Sequence, residues 1–328
     1  MICDAGGGTV DLIVYEITFT SQGRRLSEVT KGHSASCGSM FIDVNLGNLL
    51  TGKFKRQGAE IPKNVIQTMV ETFAYQLKPQ FDGEEDMYLA LPRNKCFDYI
   101  KDPKSTGIDG GYMSLKAVEL KKLVFEPVIK QVLTLIQGQL NGAKSCTAIF
   151  MVGGFGSSSY LLQRVKREFG IKVKTIASPS RPEMAFVCGA VYAGLNPKIV
   201  TARVTCRCYG VGVNERFEEG VDPISFKIIR PDGARCKNRF STFVRKGQKV
   251  QVDECVTNSY HFMKPGSTSN FSISIYAIDG YPPRYITDYG VSKLAEISIP
   301  DPFDPWDSIG HKCCSFLNLV LTFHRAPL

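Results

Sequence analysis

Long apolar runs are missing from this sequence of 328 residues. No stretch approaches the 18 or more consecutive apolar residues that a membrane span requires, so we expect no membrane-spanning segment. The first residues hold no basic cluster followed by a long apolar run, which argues against a secretory signal peptide. We therefore expect a cytoplasmic protein, and its length and 43% hydrophobic residues suit two domains with proper cores.

Metal-binding spacings are also missing. The eleven cysteines include no C-x-x-C pair, and the four histidines show no paired spacing. Structural zinc sites usually have such spacings, so we predict none. Without a secretory signal, the thiols are expected to be reduced.

Concentrated positive charge is scarce, although the net charge is +9. Lysine and arginine are spread along the chain, and the densest runs, 53–56 and 164–167, are short. A solvated surface explains such runs better than a track for phosphates. We therefore predict no nucleic-acid partner.

Strand-like and helix-like segments alternate before residue 200, which predicts an α/β fold. The longest predicted helix starts after Ser114 as N-cap and has an apolar stripe that includes Val118 and Leu123. Pro127 is expected to kink or divide this helix. The strands are predicted at 2–4, 10–17, 26–31, 86–91 and 147–152, and the helices at 41–54, 65–78, 114–140, from 157 onward and at 182–195.

The pattern changes after Asn196-Pro197. Short alternating segments separated by Gly, Pro and Asp turns indicate strands at 211–213, 226–229, 250–255, 271–276 and 317–323. We therefore predict two domains, an α/β domain at 1–199 and a β-rich domain at 200–328.

One glycine-rich segment carries the main functional prediction, Asp4-Ala5-Gly6-Gly7-Gly8-Thr9-Val10-Asp11. Three successive glycines permit positive φ angles and let a ligand approach the backbone with no Cβ in the way. Their N–H groups can converge on phosphate oxygens, and Thr9 adds a hydroxyl donor. A tight glycine turn with two solvated aspartates is the alternative.

The two aspartates of this segment repel phosphate. Asp4 and Asp11 make sense if a hydrated Mg²⁺ lies between carboxylate and phosphate, because this ion keeps most of its waters and takes one or two carboxylates. The segment therefore predicts a site for phosphate and Mg²⁺.

A second glycine pair follows a predicted buried strand and precedes a helix. Gly153 and Gly154 would give an open backbone at the start of that helix, where a base or ribose can lie flat. Alone, the pair is equally well explained as a simple tight turn.

The first glycine segment resembles the second phosphate loop of the superfamily of actin, sugar kinases and 70 kDa heat-shock proteins, in its heat-shock form D-x-G-G-G-T-x-D. Segments 36–43, 149–158 and 182–190 resemble the family's glycine turn before a helix, its adenosine loop and its closing helix. Phe155 and segments 209–213, 216–217, 259–260 and 286–291 are most similar to the divergent heat shock 70 kDa protein 12 branch. This resemblance implies the second lobe of an actin-like ATPase (ribonuclease H-like) fold, followed by an all-β domain.

The resemblance also implies roles for individual residues. Asp4 and Asp11 would be catalytic, Asp4 by holding the Mg²⁺ shell and Asp11 by placing the metal or the attacking water. The nucleotide, ATP or ADP, would be bound by Gly6, Gly7, Gly8, Thr9, Gly38, Lys78, Gly153 and Gly154. Lys78 is equally well explained as a surface lysine at a helix end.

Two departures from the family pattern limit these expectations. The family's first lobe, with its own phosphate loop and catalytic lysine, lies before this segment, and only three residues precede Asp4 here. We therefore expect an N-terminally truncated chain that binds nucleotide weakly alone and does not hydrolyse it. Ser39 stands where the heat-shock pattern has a second glycine, and its Cβ is expected to crowd the phosphates.

Three functions fit these observations. The first is a chaperone-like ATPase whose β-rich domain binds protein clients. The second is a non-catalytic interaction module, and the third is a sugar kinase on the same fold. A sugar kinase needs a substrate-binding base, and no aspartate in this sequence stands in a distinctive context for that role.

Overall fold

The structure is a computed structural model that describes residues 1–21, 23–93, 97, 100–252, 255–262, 270–300 and 315–322. Contacts within the chain divide it into two compact units. Unit 1 comprises Met1–Glu16 and Gly32–Lys198, and unit 2 comprises Ile17–Lys31 and Ile199–Leu328. The predicted domain boundary at residues 199 and 200 stays a prediction, and unit 2 also includes an early segment of the chain.

The centre of unit 1 is a five-stranded mixed sheet in the order β10-β9-β1-β2-β5. Strand β1 pairs in parallel with β9 and antiparallel with β2, and β9 pairs in parallel with β10. The strands are Ile2–Ala5 (β1), Val10–Ile13 (β2), His33–Ala35 (β5), Ala148–Val152 (β9) and Thr175–Ala177 (β10).

One face of this sheet forms the core. Cys3 lies opposite Leu12 and Ala5 opposite Val10, and all four side chains are buried. Residues opposite one another on antiparallel strands share a face, so Asp4 and its partner Asp11 lie together on the other face. The alternation of apolar and acidic residues therefore directs both aspartates away from the core.

Helices cover the core of unit 1. Each of α1, α5 and α6 buries an apolar stripe, as Leu46, Ile136 and Leu161 illustrate. The helices are Met40–Arg56 (α1), Lys63–Thr72 (α2), Pro103–Thr106 (α3), Ala117–Glu119 (α4), Glu126–Gly142 (α5), Ser159–Phe169 (α6) and Ala185–Leu195 (α7).

Shorter helical turns join or extend several helices. Two π-helical turns, Phe73–Leu77 and Leu120–Phe125, follow α2 and α4 directly. The predicted helix at 65–78 therefore ends its α-helical part at Thr72. The 3₁₀ turns are Lys78–Gln80, Phe155–Ser157, Pro182–Met184 and, in unit 2, Ile224–Phe226.

The helix predicted from Ser114 begins later than expected. Ser114 lies in a strand, Tyr112–Leu115 (β8), so its prediction as an N-cap is wrong. This strand belongs to a small sheet of order β6-β8-β7, with Met87–Ala90 (β6) and Ile108–Asp109 (β7). A hydroxyl residue before an apolar run is also compatible with the end of a strand. Here residues 112–115 pair with β6, and this pairing makes the segment a strand.

The helical run continues without a break from Ala117 to Gly142, so Pro127 does not divide it, and the predicted kink stays a prediction. Pro127 lies in the first turn of α5, directly after a π-helical turn, and has no N–H for the ladder of helical hydrogen bonds. The preceding turn widens to a π-helix, in which the N–H of Glu126 donates to the carbonyl of Lys121. Val118 and Leu123 are 75% and 47% exposed, so the prediction that they join the buried stripe is wrong.

Unit 2 consists mainly of strands, as predicted. Strand Gly23–Glu28 (β4), predicted at 26–31, pairs in parallel with Val200–Val204 (β11), which explains why the early segment belongs to this unit. The sheets have the orders β15-β11-β4-β3, β13-β14-β12-β17-β18 and β16-β19. Their remaining strands are Tyr15–Thr20 (β3), Cys208–Arg216 (β12), Lys227–Arg230 (β13), Gly233–Val244 (β14), Lys249–Gln251 (β15), Cys255–Phe262 (β16), Asn270–Ile278 (β17), Val291–Pro300 (β18) and Ser315–Thr322 (β19).

Most of the predicted strands correspond to these bounds. The strand predicted at 10–17 is two strands that separate at Val14. Residues 253, 254 and 323, at the ends of two predicted segments, lie outside the described residues. In the described part of the chain, no helix is long and apolar enough to cross a membrane.

A buried ion network joins two segments of unit 2. The carboxylate of Asp222 has no exposed surface and accepts hydrogen bonds from the Tyr285 hydroxyl at 2.6 Å and from Arg239 at 3.2 Å. Arg284 contacts it at 3.3 Å. Burial raises the pKa of Asp222, but the hydrogen bonds from Tyr285 and the Glu218 N–H and the charge of Arg239 outweigh it and bring that pKa to about 2.

Candidate functional site

The glycine segment forms the turn between β1 and β2. Its first bond closes the turn, from the Gly6 N–H to the Thr9 carbonyl at 2.9 Å. The side chain of Thr9 donates to Asp11 Oδ2 at 2.9 Å. Gly7, Gly8 and Thr9 are exposed, and in the described part of the chain their backbone N–H groups have no acceptor. The turn can therefore offer three N–H donors to an anion.

The start of α1 holds this turn from its carbonyl side. The N–H groups of Gly38, Ser39 and Met40 donate to the carbonyls of Gly8, Gly6 and Gly7 at 3.1, 3.1 and 2.8 Å. The glycine carbonyls are thus satisfied by protein, whereas the N–H groups of the turn remain available.

Gly38 packs directly against the glycine turn. A Cβ on Gly38 would lie 2.3 Å from the carbonyl oxygen of Gly7 and 2.7 Å from that of Gly6, so no larger residue fits. This packing accounts for a glycine at position 38 without a ligand. Its predicted approach to the phosphates or ribose stays a prediction, as does the crowding by Ser39.

The three glycines of the turn do not use positive φ angles. Gly6, Gly7 and Gly8 are absent from the glycines with positive φ, so the conformational freedom that they permit is not used here. Their use is steric openness instead: a Cβ on Gly8 would meet nothing within 4 Å, and one on Gly7 would meet only the Met40 side chain at 3.8 Å. An approaching ligand would therefore meet bare backbone.

The two aspartates form a pair without a cation. Asp4 and Asp11 are opposite one another on β1 and β2, and in the described residues no ion pair reaches either carboxylate. Burial, and next the charge of Asp11, raise the pKa of Asp4. A cation between the two carboxylates would relieve this repulsion, and an oxygen-only donor set suits Mg²⁺.

Two cysteines lie close to the aspartates and were not predicted as part of the site. Cys3 and Cys37 are buried, and burial followed by nearby carboxylates raises both thiol pKa values, that of Cys3 to about 12. Neither thiol is ionised at neutral pH, so both act as small apolar groups beneath the turn.

The second glycine pair lies beside the first turn because β9 runs parallel to β1. Asp4 is in register with Val152, so the loops that follow both strands leave the same edge of the sheet. Ligands in α/β sheets bind at this edge, beyond the carboxyl ends of the parallel strands.

Gly153 is required by its contacts. Its φ is +82°, and a Cβ there would lie 2.4 Å from Asp4 Oδ1 and 2.5 Å from the carbonyl oxygen of Ala5. Its N–H donates to the carbonyl of Pro182 at 2.9 Å, a partner that the sequence did not indicate. Gly153 therefore seats the Asp4 carboxylate against bare backbone.

Gly154 differs from its neighbour. It is exposed, and a Cβ there would meet nothing within 4 Å. The chain then enters a 3₁₀ turn and α6, whose N-cap Ser158 accepts a hydrogen bond from the Leu161 N–H. The strand–Gly–Gly–helix prediction is confirmed as local structure.

Lys78 lies next to the start of α1. Its Nζ is 2.8 Å from both carboxylate oxygens of Asp43 and 3.5 Å from the carbonyl of Ser39. Asp43 stands in the first turn of α1 and was not predicted to matter, since its partner lies 35 positions away in the sequence. The lysine is thus fixed near the glycine turn, and its contact with nucleotide stays a prediction.

The structure thus gathers most of the predicted residues at one edge of the central sheet. Asp4, the glycine turn, Asp11, Gly38 and Gly153 are joined by direct contacts or strand pairing. In the described part of the chain, no group of three or more His, Cys, Asp or Glu residues could hold a metal ion by itself. An Mg²⁺ here would need oxygens from water and phosphate beside Asp4.

No protein-family model matches this chain. Comparison with curated proteins does find relatives. The chain is 27% identical over 321 residues to mouse and to human heat shock 70 kDa protein 12A, which covers 91% of the chain and 47% of each relative. It is 26% identical over 330 residues to human heat shock 70 kDa protein 12B. The chain spans about half the length of the curated relatives it matches. The resemblance predicted from the glycine segments is confirmed: this chain is a homologue of the heat shock 70 kDa protein 12 proteins across nine tenths of its length.

Proposed function

We propose that this chain binds ATP or ADP together with Mg²⁺ at the edge of the unit 1 sheet, as a chaperone-like relative of the 70 kDa heat-shock proteins. One observation carries the proposal. The exposed glycine turn, with three N–H groups that lack an acceptor in the described residues, lies beside two facing aspartates. The strand order around β1 and the similarity to heat shock 70 kDa protein 12A support a unit 1 that is the second lobe of an actin-like fold.

The residues have separate roles in this proposal. Gly7, Gly8 and Thr9 donate to the phosphate oxygens, and Asp4 with Asp11 holds the hydrated Mg²⁺. The bound ion supplies positive charge that neutralises the phosphates. Gly153 lets the Asp4 carboxylate lie against bare backbone, and Gly154 leaves open space for the nucleoside.

Lys78 and Gly38 act from the other side of the turn. Lys78 is paired with Asp43 beside the Ser39 carbonyl, so it would add positive charge near an anion by exchanging this carboxylate for a phosphate oxygen. Gly38 fixes the glycine turn to α1. The β-rich unit 2 binds protein clients in this proposal, with the similarity to the heat-shock relatives as its support.

Isothermal titration calorimetry with Mg-ATP tests the nucleotide site. The native chain should bind Mg-ATP, and Gly7→Val should abolish the binding, because a branched side chain would fill the space that the phosphates need. The fold should tolerate the change, since a Cβ on Gly7 meets only Met40. Gly138→Val is the control, because Gly138 is exposed on α5 and its Cβ would meet nothing within 4 Å.

A second variant tests the metal. Asp4→Asn should weaken the binding of Mg-ATP more than tenfold, whereas the weak binding of metal-free ATP should be equal or stronger, because the Asp4 charge repels phosphate. Removal of the Asp4 charge also removes a repulsion, so this variant should unfold at a temperature no lower than that of the native chain. Equal Mg-ATP binding by the native chain, Gly7→Val and Asp4→Asn would refute the site.

A further inference from the structure

A cavity of about 360 Å³ opens on the small sheet of unit 1, away from the glycine turns. Its volume falls in the range of ligand-binding pockets. Its lining residues are Tyr88, Gly107, Asp109, Tyr112 and Ser114.

The strand register places the polar lining on one face of this sheet. Tyr88 lies opposite Ser114 and Asp109 opposite Tyr112, and residues opposite one another on antiparallel strands project to the same side. The alternate residues of the same strands, Leu89, Met113 and Leu115, are fully buried and form the core side of the sheet. The cavity therefore has a firm apolar layer behind it.

The side chains that line the cavity share one chemical property, which is electron-rich or negative character. Tyr88 and Tyr112 are 61% and 52% exposed, unusually open for rings of this size, and the faces of aromatic rings attract cations. Asp109 is exposed and has no ion pair in the part of the chain that the structure describes. It therefore adds a full negative charge.

Ser114 adds a hydroxyl group to the lining of the cavity. Its Oγ is buried and has no hydrogen-bond partner in the described residues. Buried hydroxyls without a partner are uncommon in folded proteins. Serine can accept a hydrogen bond from an N–H donor as readily as it donates one.

The neighbouring cation on this sheet does not neutralise the cavity. Lys116 follows Ser114 by two positions, and its Nζ pairs with Asp86 Oδ2 at 2.8 Å. Asp86 also accepts a hydrogen bond from the Ala117 N–H. The charge of Lys116 is thus balanced beside the cavity, and that of Asp109 is not.

We propose that this cavity binds the cationic side chain of an arginine or lysine from a protein partner. The stem of that side chain packs between Tyr88 and Tyr112, and its charged group donates hydrogen bonds to Asp109. Two ring faces and a carboxylate are contacts that suit such a group. The proposal is independent of nucleotide binding.

The test uses two short peptides on the native chain, acetyl-Gly-Arg-Gly-amide and the same peptide with the uncharged isostere citrulline. Chemical-shift changes of the amides of residues 107–114 report binding. The arginine peptide should bind in the millimolar range and at least threefold more tightly than the citrulline peptide. Equal binding of both peptides, or no shift change at 107–114, would overturn the proposal.

Three variants separate the contacts. Asp109→Asn and Tyr112→Leu should each weaken the arginine peptide at least threefold, and both side chains are exposed enough for the fold to remain. Tyr75→Leu is the matched control, because Tyr75 is 84% exposed elsewhere in unit 1. If Asp109→Asn and Tyr112→Leu bind as the native chain does while their spectra show an intact fold, the cavity is not the site.

Discussion

At the scale of single residues, two adjacent glycines illustrate how differently the same residue type can be used. Gly153 combines a positive φ with three contacts under 3.0 Å for any added Cβ, one of them to Asp4. Gly154 has open space and a φ of −63°. Although the two glycines are adjacent in sequence, we expect Gly154 to tolerate a side chain and Gly153 not to tolerate one.

Gly153→Ala should destabilise the protein by about 2–4 kcal/mol, because the new methyl group strains the backbone and displaces either Asp4 or β1. Gly154→Ala should change the free energy of unfolding by less than about 1 kcal/mol. Urea unfolding of both variants, followed by circular dichroism, gives the comparison. Similar losses in the two variants would contradict the observed packing.

The sequence predicted which residues lie at the site better than it predicted the contacts that those residues make. The spacing of Asp4, the glycines and Asp11 was enough to indicate a turn with two acidic residues at its base. The role of Gly38 as a packing contact depends on a segment that returns to the turn, and Asp43 depends on a lysine far along the chain. Such contacts depend on tertiary structure, and local sequence patterns do not predict them.

At the scale of elements, the π-helical turn before α5 accepts a hydrogen bond from a side chain of a neighbouring helix. The side chain of Asn45 on α1 donates to the carbonyl of Val124 at 3.0 Å. A widened turn next to a proline disturbs the regular ladder of helical hydrogen bonds, and a side-chain donor can satisfy a carbonyl that this ladder misses. Asn45 thus joins α1 to the helix behind it.

Asn45→Ala should lower the free energy of unfolding by about 1–2 kcal/mol, since it removes a hydrogen bond to a largely buried carbonyl. Asn48→Ala is the control, because Asn48 is exposed one turn further along the same helix and should change stability by less than about 0.5 kcal/mol. Chemical denaturation measures both. An equal effect of the two changes would mean that the bond to Val124 adds nothing.

Element prediction failed where two periodicities met. The run from Ser114 to Leu123 has enough apolar residues for a helix, but residues 112–115 pair with β6 and the π turn shifts the buried face. Strand pairing between segments far apart in sequence overrode the local preference. In contrast, β1 and β9 combine strong periodicity with clear ends, and their predictions are confirmed.

At the scale of the whole molecule, the chain leaves unit 1 after Glu16 and returns at Gly32. The intervening strand β4 pairs with β11, about 175 positions later, so no local pattern could have assigned it. The second crossing, between Lys198 and Ile199, comes shortly after the composition change at Asn196-Pro197. An all-β pattern could also not indicate the ion network around Asp222, which lies inside unit 2.

This network predicts how unit 2 responds to acid. The pKa of Asp222 is about 2 in the folded protein, below its ordinary value of 3.8. The unfolded chain therefore binds a proton first as the pH falls, and the stabilisation present above pH 4 is lost between about pH 4 and pH 2. The amides of Phe240 and Ile286 bond across this region, and their protection factors, the ratio of intrinsic to observed hydrogen-exchange rate, should fall in that range.

Asp222→Asn should weaken protection of both amides at neutral pH and remove most of its dependence on acid. Glu219→Gln alters only a surface pair with Lys227 and should keep the native pH profile. A native profile in Asp222→Asn would assign the acid response to other carboxylates.

The hydrogen bonds between the glycine turn and α1 have a further consequence, which concerns preorganisation. Fixing the backbone of one residue lowers the entropy by the equivalent of about 1–2 kcal/mol, and here α1 fixes three residues of the turn through their carbonyls during folding. A ligand that arrives at Gly7, Gly8 and Thr9 meets donors that are already in position, so this loss of entropy does not subtract from its affinity. The rigidity of the turn is therefore a property of the first turn of α1, and loosening that helix end would weaken binding without touching a single ligand contact.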